Sequence, residues 1–587
     1  MAESSNRAFK YGVLNRGEFR VLFILPSRDP STEIRCHLLK DTFEAAEPYI
    51  ALSYMWGSVV LKEQIIVNDT PFPVGKHLYN ALRRMRQPEA AQRIWADAIC
   101  INQSDIGEKN IQVAQMRNVY SRADIVAIWL GNNEHNVFGN TSTIAFIRVF
   151  TAKLLRPGYF EEDDGFQKDV DEIRFLTHIN DVRYFLSGGW WSRMWVVQEV
   201  TVCKNPPVFY HGAENLEWDI LLSFIDAALS GPLYTNIYRR INLHHEGHGN
   251  LNLQFIGLKS TLMHVRELMK MRSIYQTDEI QTFSDLLIAT KGRQSTDPKD
   301  KIFALLGLKA LGFPMKVDYN LTEAEVYINA TVSALKEENR FDILDRIGCE
   351  RIKSIKALPS WVVDFGGRAG TIAGKPIKSF SSHAREANNP NLYTAGGPTS
   401  RFDCSAVAYV KGASDSDHFL GVGSIIVDII KKLGATSPDM DEHLMGNSNG
   451  SFGSVIRNWK SVAASLPPLL TSPEQREKDF WRTILLDLDI PEKNTNADLQ
   501  DVEERRIPSH VDYLPPKNRS EEEYLIAMLN KKGGAQFSRR FGVTSAGGMG
   551  IFPENAKVND RICVFVGGRV PYVIRPWGQR FKLIGEW

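Results

Sequence analysis

The alternation of segments between Tyr49 and Gly131 limits this chain more than anything else in it. PYIALSYMWGS contains a short apolar run, Tyr49 to Tyr54, that passes into small and polar residues with Gly57 just beyond. That is the pattern of a buried strand running into a loop. Gln64 to Val67 is a second strand candidate before an Asn68-Asp69 turn, and His77 to Met85 puts Leu78, Leu82 and Met85 on one helical face. RIWADAICINQ is apolar almost without break from Ile94 to Ile101. Asp105 and Glu108 have capping-box spacing, Val113, Met116, Tyr120 and Ala123 recur at helical intervals, and the strand DIVAIWLG closes the unit at Gly131. Strand, helix, strand, helix, strand predicts an α/β domain whose parallel sheet is covered by helices. Residues 1–44 read as a β-hairpin lead-in, with β-rich runs at Glu18 to Leu25 and Glu33 to Leu39, and residues 132–181 as a helical insertion.

Two acids in this region carry chemical interest. Asp97 interrupts an apolar run, which is costly unless the carboxylate is paired or stands at a strand's carboxyl end, where open α/β sheets bind ligands. The alternative is an acid that caps or buttresses a neighbouring loop. Glu199 lies in WWSRMWVVQEVTV, where Trp191, Met194, Trp195, Gln198 and Val202 recur at spacings of three and four, the period of a helix with one buried face. Burial beside tryptophans would raise its pKa and suit it to bond-breaking chemistry. The alternative is an ordinary solvated glutamate on an amphipathic helix.

At 587 residues the chain exceeds one ordinary core. Residues 216–375 read as mainly helical, 376–535 as mixed linker and helix, and 536–587 as a small β-rich module of short runs punctuated by Gly and Pro. Asp297 with Pro298 marks a helix start, Thr322 with Glu325 a second capping box, and LPSWVVDF a buried turn around Trp361. With 70 Lys+Arg against 69 Asp+Glu there is no electrostatic footprint for nucleic acid or an anionic membrane. No apolar run is long enough to cross a bilayer and no signal peptide is evident, so a cytoplasmic location is expected. The 6 cysteines include no CxxC pair, against a zinc site or a disulfide framework. His244, Glu246 and His248 have metal-like spacing, but two glycines and flanking asparagines say loop, and no metal is expected. Gly547, Gly548 and Gly550 make no phosphate loop, since neither GxxxxGK[ST] nor a following helix is present.

Three blocks, YIALSYMWG (Tyr49 to Gly57), RIWADAICINQ through ADIVAIWLG (Arg93 to Gly131) and SRMWVVQEV (Ser192 to Val200), resemble the fungal heterokaryon-incompatibility (HET) domain proteins. The firm part of the likeness covers residues 45–210, and the domain is bounded at 45–215. DPKDKIFALLGL, LPSWVVDF and GGRVPYVIRP resemble segments that accompany this domain in larger family members. The HET domain is similar in turn to the TIR domain, which implies a TIR-like (flavodoxin-like) sheet. ALSY at Ala51 to Tyr54 stands for its opening strand, Asp97 for its acidic second strand, and Trp195, Val196 and Glu199 for its WCxxE-like block, with valine in place of cysteine.

The resemblance implies allorecognition and programmed cell death. Catalytic TIR domains cleave NAD at the nicotinamide ribosyl bond through the glutamate of this helix, which makes Glu199 the catalytic candidate and NAD+ the candidate substrate, with no separate cofactor. Trp56 or Trp195 would stack on an aromatic ring, Ser53 and Asp97 orient ribose hydroxyls, and Arg193 contact pyrophosphate; core packing and a structural ion pair are the alternatives for the tryptophans and the arginine. Tyr54, Gly57 and Asn102 complete the candidate substrate-binding set. Self-association to a homo-oligomer and an incompatibility partner protein are expected by the same resemblance, and such a β module would be expected to run beyond Trp587. A non-enzymatic module that signals by association, or an inert regulator, is the rival reading.

Overall fold

The computed structural model describes residues 9–57, 62–132, 142–156, 173–229, 250–277, 282–290, 292–308, 313–338, 340–347, short pieces between 350 and 376, 408–411, 418–437, 452–466, 472–484, 488–489, 505–506 and 538–587. The chain forms two compact units, one comprising Met1–Gln281, Arg293–Gly312 and Lys316–Leu321, the other Thr282–Gly292, Phe313–Met315 and Thr322–Trp587.

The first unit is built on a nine-stranded sheet in the order β5-β4-β2-β1-β6-β3-β7-β8-β9. Its strands are β1 (Glu18–Ile24), β2 (Arg35–Thr42), β3 (Ile50–Tyr54), β4 (Lys62–Val67), β5 (Thr70–Gly75), β6 (Gln92–Trp95), β7 (Ile125–Trp129), β8 (Val208–His211) and β9 (Glu214–Glu217). The middle is parallel: β3 pairs with β6 (Ile50 with Ile94) on one side and β7 (Tyr54 with Trp129) on the other, and β7 pairs with β8. Ala51, Leu52, Ser53 and Tyr54 are all buried, as an inner strand covered on both faces requires.

The parallel sheet expected from the sequence is therefore only the middle of a mixed one. The first hairpin is not a separate lead-in: β1 runs antiparallel to both β2 and β6, filling the core with Phe19, Val21 and Leu22. β4 and β5 are joined through Asn68 and Asp69, both at positive φ (48° and 58°), the two-residue turn whose twist suits a hairpin. At the other edge β8 and β9 form an antiparallel hairpin.

The capping box at Asp105 forms by half. Asp105 accepts the Glu108 amide at 3.0 Å, but the Glu108 carboxylate does not return to Asp105. It takes the Arg20 guanidinium at 2.6 and 2.8 Å and the Asn102 amide at 2.8 Å. The helical run that follows breaks at Gln115 into Ile106–Ala114 and Met116–Arg122. Of the expected insertion, helices Thr143–Leu154 and Ile173–Ser187 are described. Helices Trp218–Leu229 and Asn250–Gln276 follow in the same unit. No helix among the described residues is long and apolar enough to cross a membrane.

The second unit opens with helices Phe283–Thr290 and Glu323–Glu338. The capping box at the second is complete: the Thr322 amide donates to Glu325 at 2.9 Å and the Glu325 amide to Thr322 Oγ1 at 3.2 Å. The C-terminal β module gains a strand from far upstream. Ser424–Thr436 lies between Arg539–Thr544 and Arg561–Phe565 in a six-stranded antiparallel sheet, with Met549–Pro553 at one edge and Pro571–Trp577 followed by Arg580–Glu586 at the other. Ile430, Phe552, Ile562 and Val573 form its buried core. Helix Phe452–Ala464 packs on it through Trp459, whose indole donates to the Ala435 carbonyl at 2.7 Å. Arg539 and Glu586 make a buried ion pair at 2.7 Å that ties the last strand to the sheet.

Candidate functional site

The site forms where β3 and β6 end. Beyond Tyr54 the chain turns at Gly57, whose φ of 72° favours glycine. β6 stops at Trp95, and the expected apolar run to Ile101 breaks into one helical turn, Asp97–Cys100. The break places Asp97 at the carboxyl end of β6, beside the carboxyl end of β3. Its carboxylate is thereby satisfied: Oδ1 accepts the Ala98 amide at 2.8 Å and the Tyr54 hydroxyl at 2.7 Å, and Oδ2 accepts the Trp56 indole N–H at 2.8 Å. Burial and this neighbouring carboxylate push the Tyr54 hydroxyl far above the ordinary tyrosine pKa.

Glu199 does not stand on one amphipathic helix running from Trp190 to Val202. That segment breaks into one turn, Gly189–Ser192, and a short helix, Val196–Thr201. Between them Arg193 is extended (φ −69°, ψ 142°) and pairs in parallel with Gln294: the Met194 amide donates to the Gln294 carbonyl at 2.7 Å and the Gln294 amide to the Ser192 carbonyl at 2.6 Å. Strand-like pairing with a distant segment outweighs the local helical period. The helix it releases is buried all round, every residue from Val196 to Thr201, so the solvated-glutamate alternative is excluded.

Glu199 is 2% exposed, and its Oε2 accepts the Ser53 hydroxyl, whose oxygen accepts the Trp190 indole N–H at 2.8 Å. Burial is the main influence on its pKa and raises it from the usual carboxylate value to about 7; Arg193 and the Ser53 bond pull the pKa down, and Asp97 pushes it further up. The helix is held at its carboxyl end by Arg272, which donates to the carbonyls of Val200 (2.9 Å) and Cys203 (2.6 Å). Gln198 braces it sideways, its amide oriented to accept the Arg117 N–H at 2.9 Å and to donate to the Ala304 carbonyl at 3.1 Å. A Cβ at Gly307 would fall on that amide. Gly307→Ala is accordingly expected to cost about 1–3 kcal/mol by overpacking a braced side chain, read as a lower melting temperature.

In front of these residues opens a cleft of about 670 Å³. Trp56, Gly57, Asp97, Arg193 and Trp195, five of the residues singled out from the sequence, line it. Ser53, Tyr54 and Glu199 lie in the layer behind, and Arg193 joins the layers by donating to the Tyr54 carbonyl. Asn102 is not among the residues that line the cleft; its side-chain oxygen accepts the Ser104 hydroxyl at 2.7 Å. The rest of the lining includes Lys109 and a later stretch of chain, Gln294, Asp297, Asp300 and Tyr319, which sequence reasoning did not connect to the site. Asp297, expected as a helix N-cap, instead heads a turn by accepting the Lys299 amide at 3.0 Å, and the helix begins at Asp300. The available signal was the position of DPKDKIFALLGL among the segments that accompany the domain.

Among the described residues no three His, Cys, Asp or Glu side chains form a group able to hold a metal ion, and His244, Glu246 and His248 lie outside those residues. Cys36, Cys100, Cys203 and Cys563 are buried free thiols. Burial pushes the Cys100 thiol up to about 12, which leaves it unreactive.

Residues 49–199 match the family model for heterokaryon incompatibility protein (HET), and residues 470–587 match that of the Het-6 beta-barrel domain. The chain is similar to heterokaryon incompatibility protein 6, OR allele, of Neurospora crassa, at 22% identity over 97% of this chain and 92% of the relative. No solved structure matches.

Proposed function

The chain is a heterokaryon-incompatibility (HET) domain protein, and on that premise we propose that it is an effector of incompatibility and cell death that acts by TIR-like hydrolysis of NAD+ at the nicotinamide ribosyl bond. The observation that carries this reading is Glu199: a carboxyl with its pKa raised to about 7, bonded to Ser53 near the end of a central parallel strand and one layer behind a cleft. Taken in chain order, the parallel strands β3, β6, β7 and β8 are arranged as 2-1-3-4. That is the flavodoxin-like order, in which ligands sit outside the carboxyl ends of the strands, and it supports the TIR-like assignment.

The chemistry asks little of an acid. When the glycosidic bond breaks, its electron pair leaves with nicotinamide, already a good leaving group, and positive charge builds on the ribose. A carboxylate held near that ring stabilises the charge and takes the proton of the water that adds, by analogy with glycoside hydrolysis. A group with a pKa near 7 is divided between the required base and its conjugate acid at neutral pH. Arg193 suits the pyrophosphate and Trp56, 47% exposed, suits a planar ring. Because Glu199 lies behind the cleft lining, catalysis requires that layer to move, and self-association is the proposed cause.

A second reading rests on the same burial. Glu199 bonded to Ser53 ties its helix to the sheet, which is all that a non-enzymatic module signalling through a partner protein would need of it. NAD+ consumption and nicotinamide release by purified full chain at several concentrations separate the two. Turnover rising steeply with concentration and lost in Glu199→Gln establishes the hydrolase. No turnover at any concentration, in a protein that still kills cells on expression, establishes the second reading.

A further inference from the structure

Trp56 differs from most tryptophans of its unit. Trp95, Trp129, Trp190 and Trp191 are buried, whereas Trp56 lines the cleft and is 47% exposed. Its indole N–H nonetheless donates to Asp97 Oδ2 at 2.8 Å. An exposed N–H bonds water at little cost, so the acid is not needed to satisfy the donor; what it adds is a fixed orientation. Turning the indole about its outer side-chain torsion breaks this charge-assisted bond.

Both ends of that bond are anchored. Through Oδ1 the Asp97 carboxylate also accepts the Ala98 amide at 2.8 Å and the Tyr54 hydroxyl at 2.7 Å. Its backbone carbonyl accepts the Ile101 amide at 3.2 Å and the Gln103 side chain at 3.1 Å. Three of the roughly four acceptor positions of the carboxylate are thus taken by the protein's own donors, which leaves little for ribose hydroxyls. On the other side, the Trp56 backbone is pressed against the end of β5: a Cβ at Gly75 would lie 2.8 Å from the Trp56 carbonyl oxygen. With backbone and N–H both held, the ring keeps one attitude at the cleft wall.

We propose that Asp97 is a positioning residue of the cleft, holding the Trp56 indole as a platform on which the planar ring of a nucleotide stacks. The proposal deepens the reading of this cleft as a site for NAD+ and rests on it for the ligand class. It replaces direct contact of Asp97 with ribose hydroxyls by action through a neighbouring ring. A half-exposed indole suits a planar heteroaromatic ring, and stacking on one aromatic side chain is strong enough to be measured through that residue. Holding the side chain before the ligand arrives spares the entropy of ordering it on binding. NAD+ carries two such rings, a pyridinium and a purine, and the test tells them apart.

The test is calorimetric titration of the full chain with nicotinamide mononucleotide, adenosine monophosphate and, lacking a planar ring, ribose 5-phosphate. Wild type, Asp97→Asn, Trp56→Leu and the double variant are compared. Asparagine keeps an oxygen for the two donors Ala98 and Tyr54 but turns an amino group toward the indole N–H, which releases the ring. At least one mononucleotide is expected to bind about tenfold or more weakly in Trp56→Leu and about three- to tenfold more weakly in Asp97→Asn. The double variant should bind no more weakly than Trp56→Leu, because Asp97 acts only through that ring. Ribose 5-phosphate should bind all four proteins alike. Whichever mononucleotide responds identifies the ring that stacks. Four results would overturn the proposal: mononucleotide affinity equal to wild type in either single variant, a further loss in the double variant, weaker ribose 5-phosphate binding in Asp97→Asn, which would mark a ribose ligand or a brace of the fold, or binding of no mononucleotide by wild type. NAD+ turnover measured in parallel separates this from the broader reading. Ring binding that depends on both residues without turnover keeps the platform and removes the hydrolase, whereas turnover with the same KM in wild type and Trp56→Leu does the reverse.

Discussion

Glu199→Gln is expected to lower NAD+ turnover by about a hundred- to a thousandfold while making the folded protein more stable at pH 8. The two effects share one cause. Glutamine keeps the volume and an oxygen to accept the Ser53 hydroxyl, but it cannot carry the charge that the oxocarbenium-like state needs. It also removes a desolvated carboxylate. The folded-state pKa of about 7 lies above the ordinary 4.5, so the native state binds more protons than the unfolded chain. Wild-type stability therefore falls as pH climbs from 4.5 through about 7 and levels off above it, losing on the order of 3 kcal/mol across that window. The melting temperature of Glu199→Gln should match wild type near pH 4, exceed it increasingly between those values, and stay above it at pH 8. A variant that loses activity and is destabilised at every pH would mark Glu199 as a structural brace.

Arg20→Met is expected to cost about 3–5 kcal/mol in urea unfolding, the largest loss of stability foreseen for the first unit. Arg20 is 2% exposed on β1 and holds both oxygens of Glu108 at 2.6 and 2.8 Å, with further bonds to the carbonyls of Cys100 (3.1 Å) and Gly12 (2.6 Å). Methionine fills much of the space but leaves a largely buried carboxylate and two carbonyls without their donor, and the unpaired charge dominates the cost. Adding Glu108→Leu should restore part of the loss, since removing both charges is cheaper than stranding one. A loss of no more than about 1 kcal/mol in Arg20→Met would show that the pair is solvated and leaves the loop from Asn102 to Glu108 to organise itself. That loop follows Asp97, and Gln103 within it donates to the Asp97 carbonyl at 3.1 Å, so the first hairpin supports the floor of the cleft.

What the sequence by itself determined is whatever depends on neighbours along the chain. The apolar run of β3, the Asn68-Asp69 turn, the helix after it and the reciprocal bonds of Thr322 and Glu325 are all local, and all stand where composition and spacing place them. Asp97 was legible too, because an acid inside an apolar run must find donors, and it finds Tyr54 and Trp56 from the neighbouring strand end.

The tertiary structure decided the rest, because the deciding partners lie far away in sequence. The periodicity from Trp190 to Val202 is helical, yet pairing of Arg193 with Gln294 breaks it and leaves Glu199 on a short helix buried on every side. Glu108 carries a capping-box signature, yet Arg20, 88 residues away, takes its carboxylate, because a buried guanidinium needs a counter-charge more than an exposed helix start needs a second cap. Asp300 and Tyr319 join the cleft only because Asn110 and Gln294 fix their segment against it. Local spacing sets which elements can form; long-range pairing and desolvation set where they break and which side chains meet.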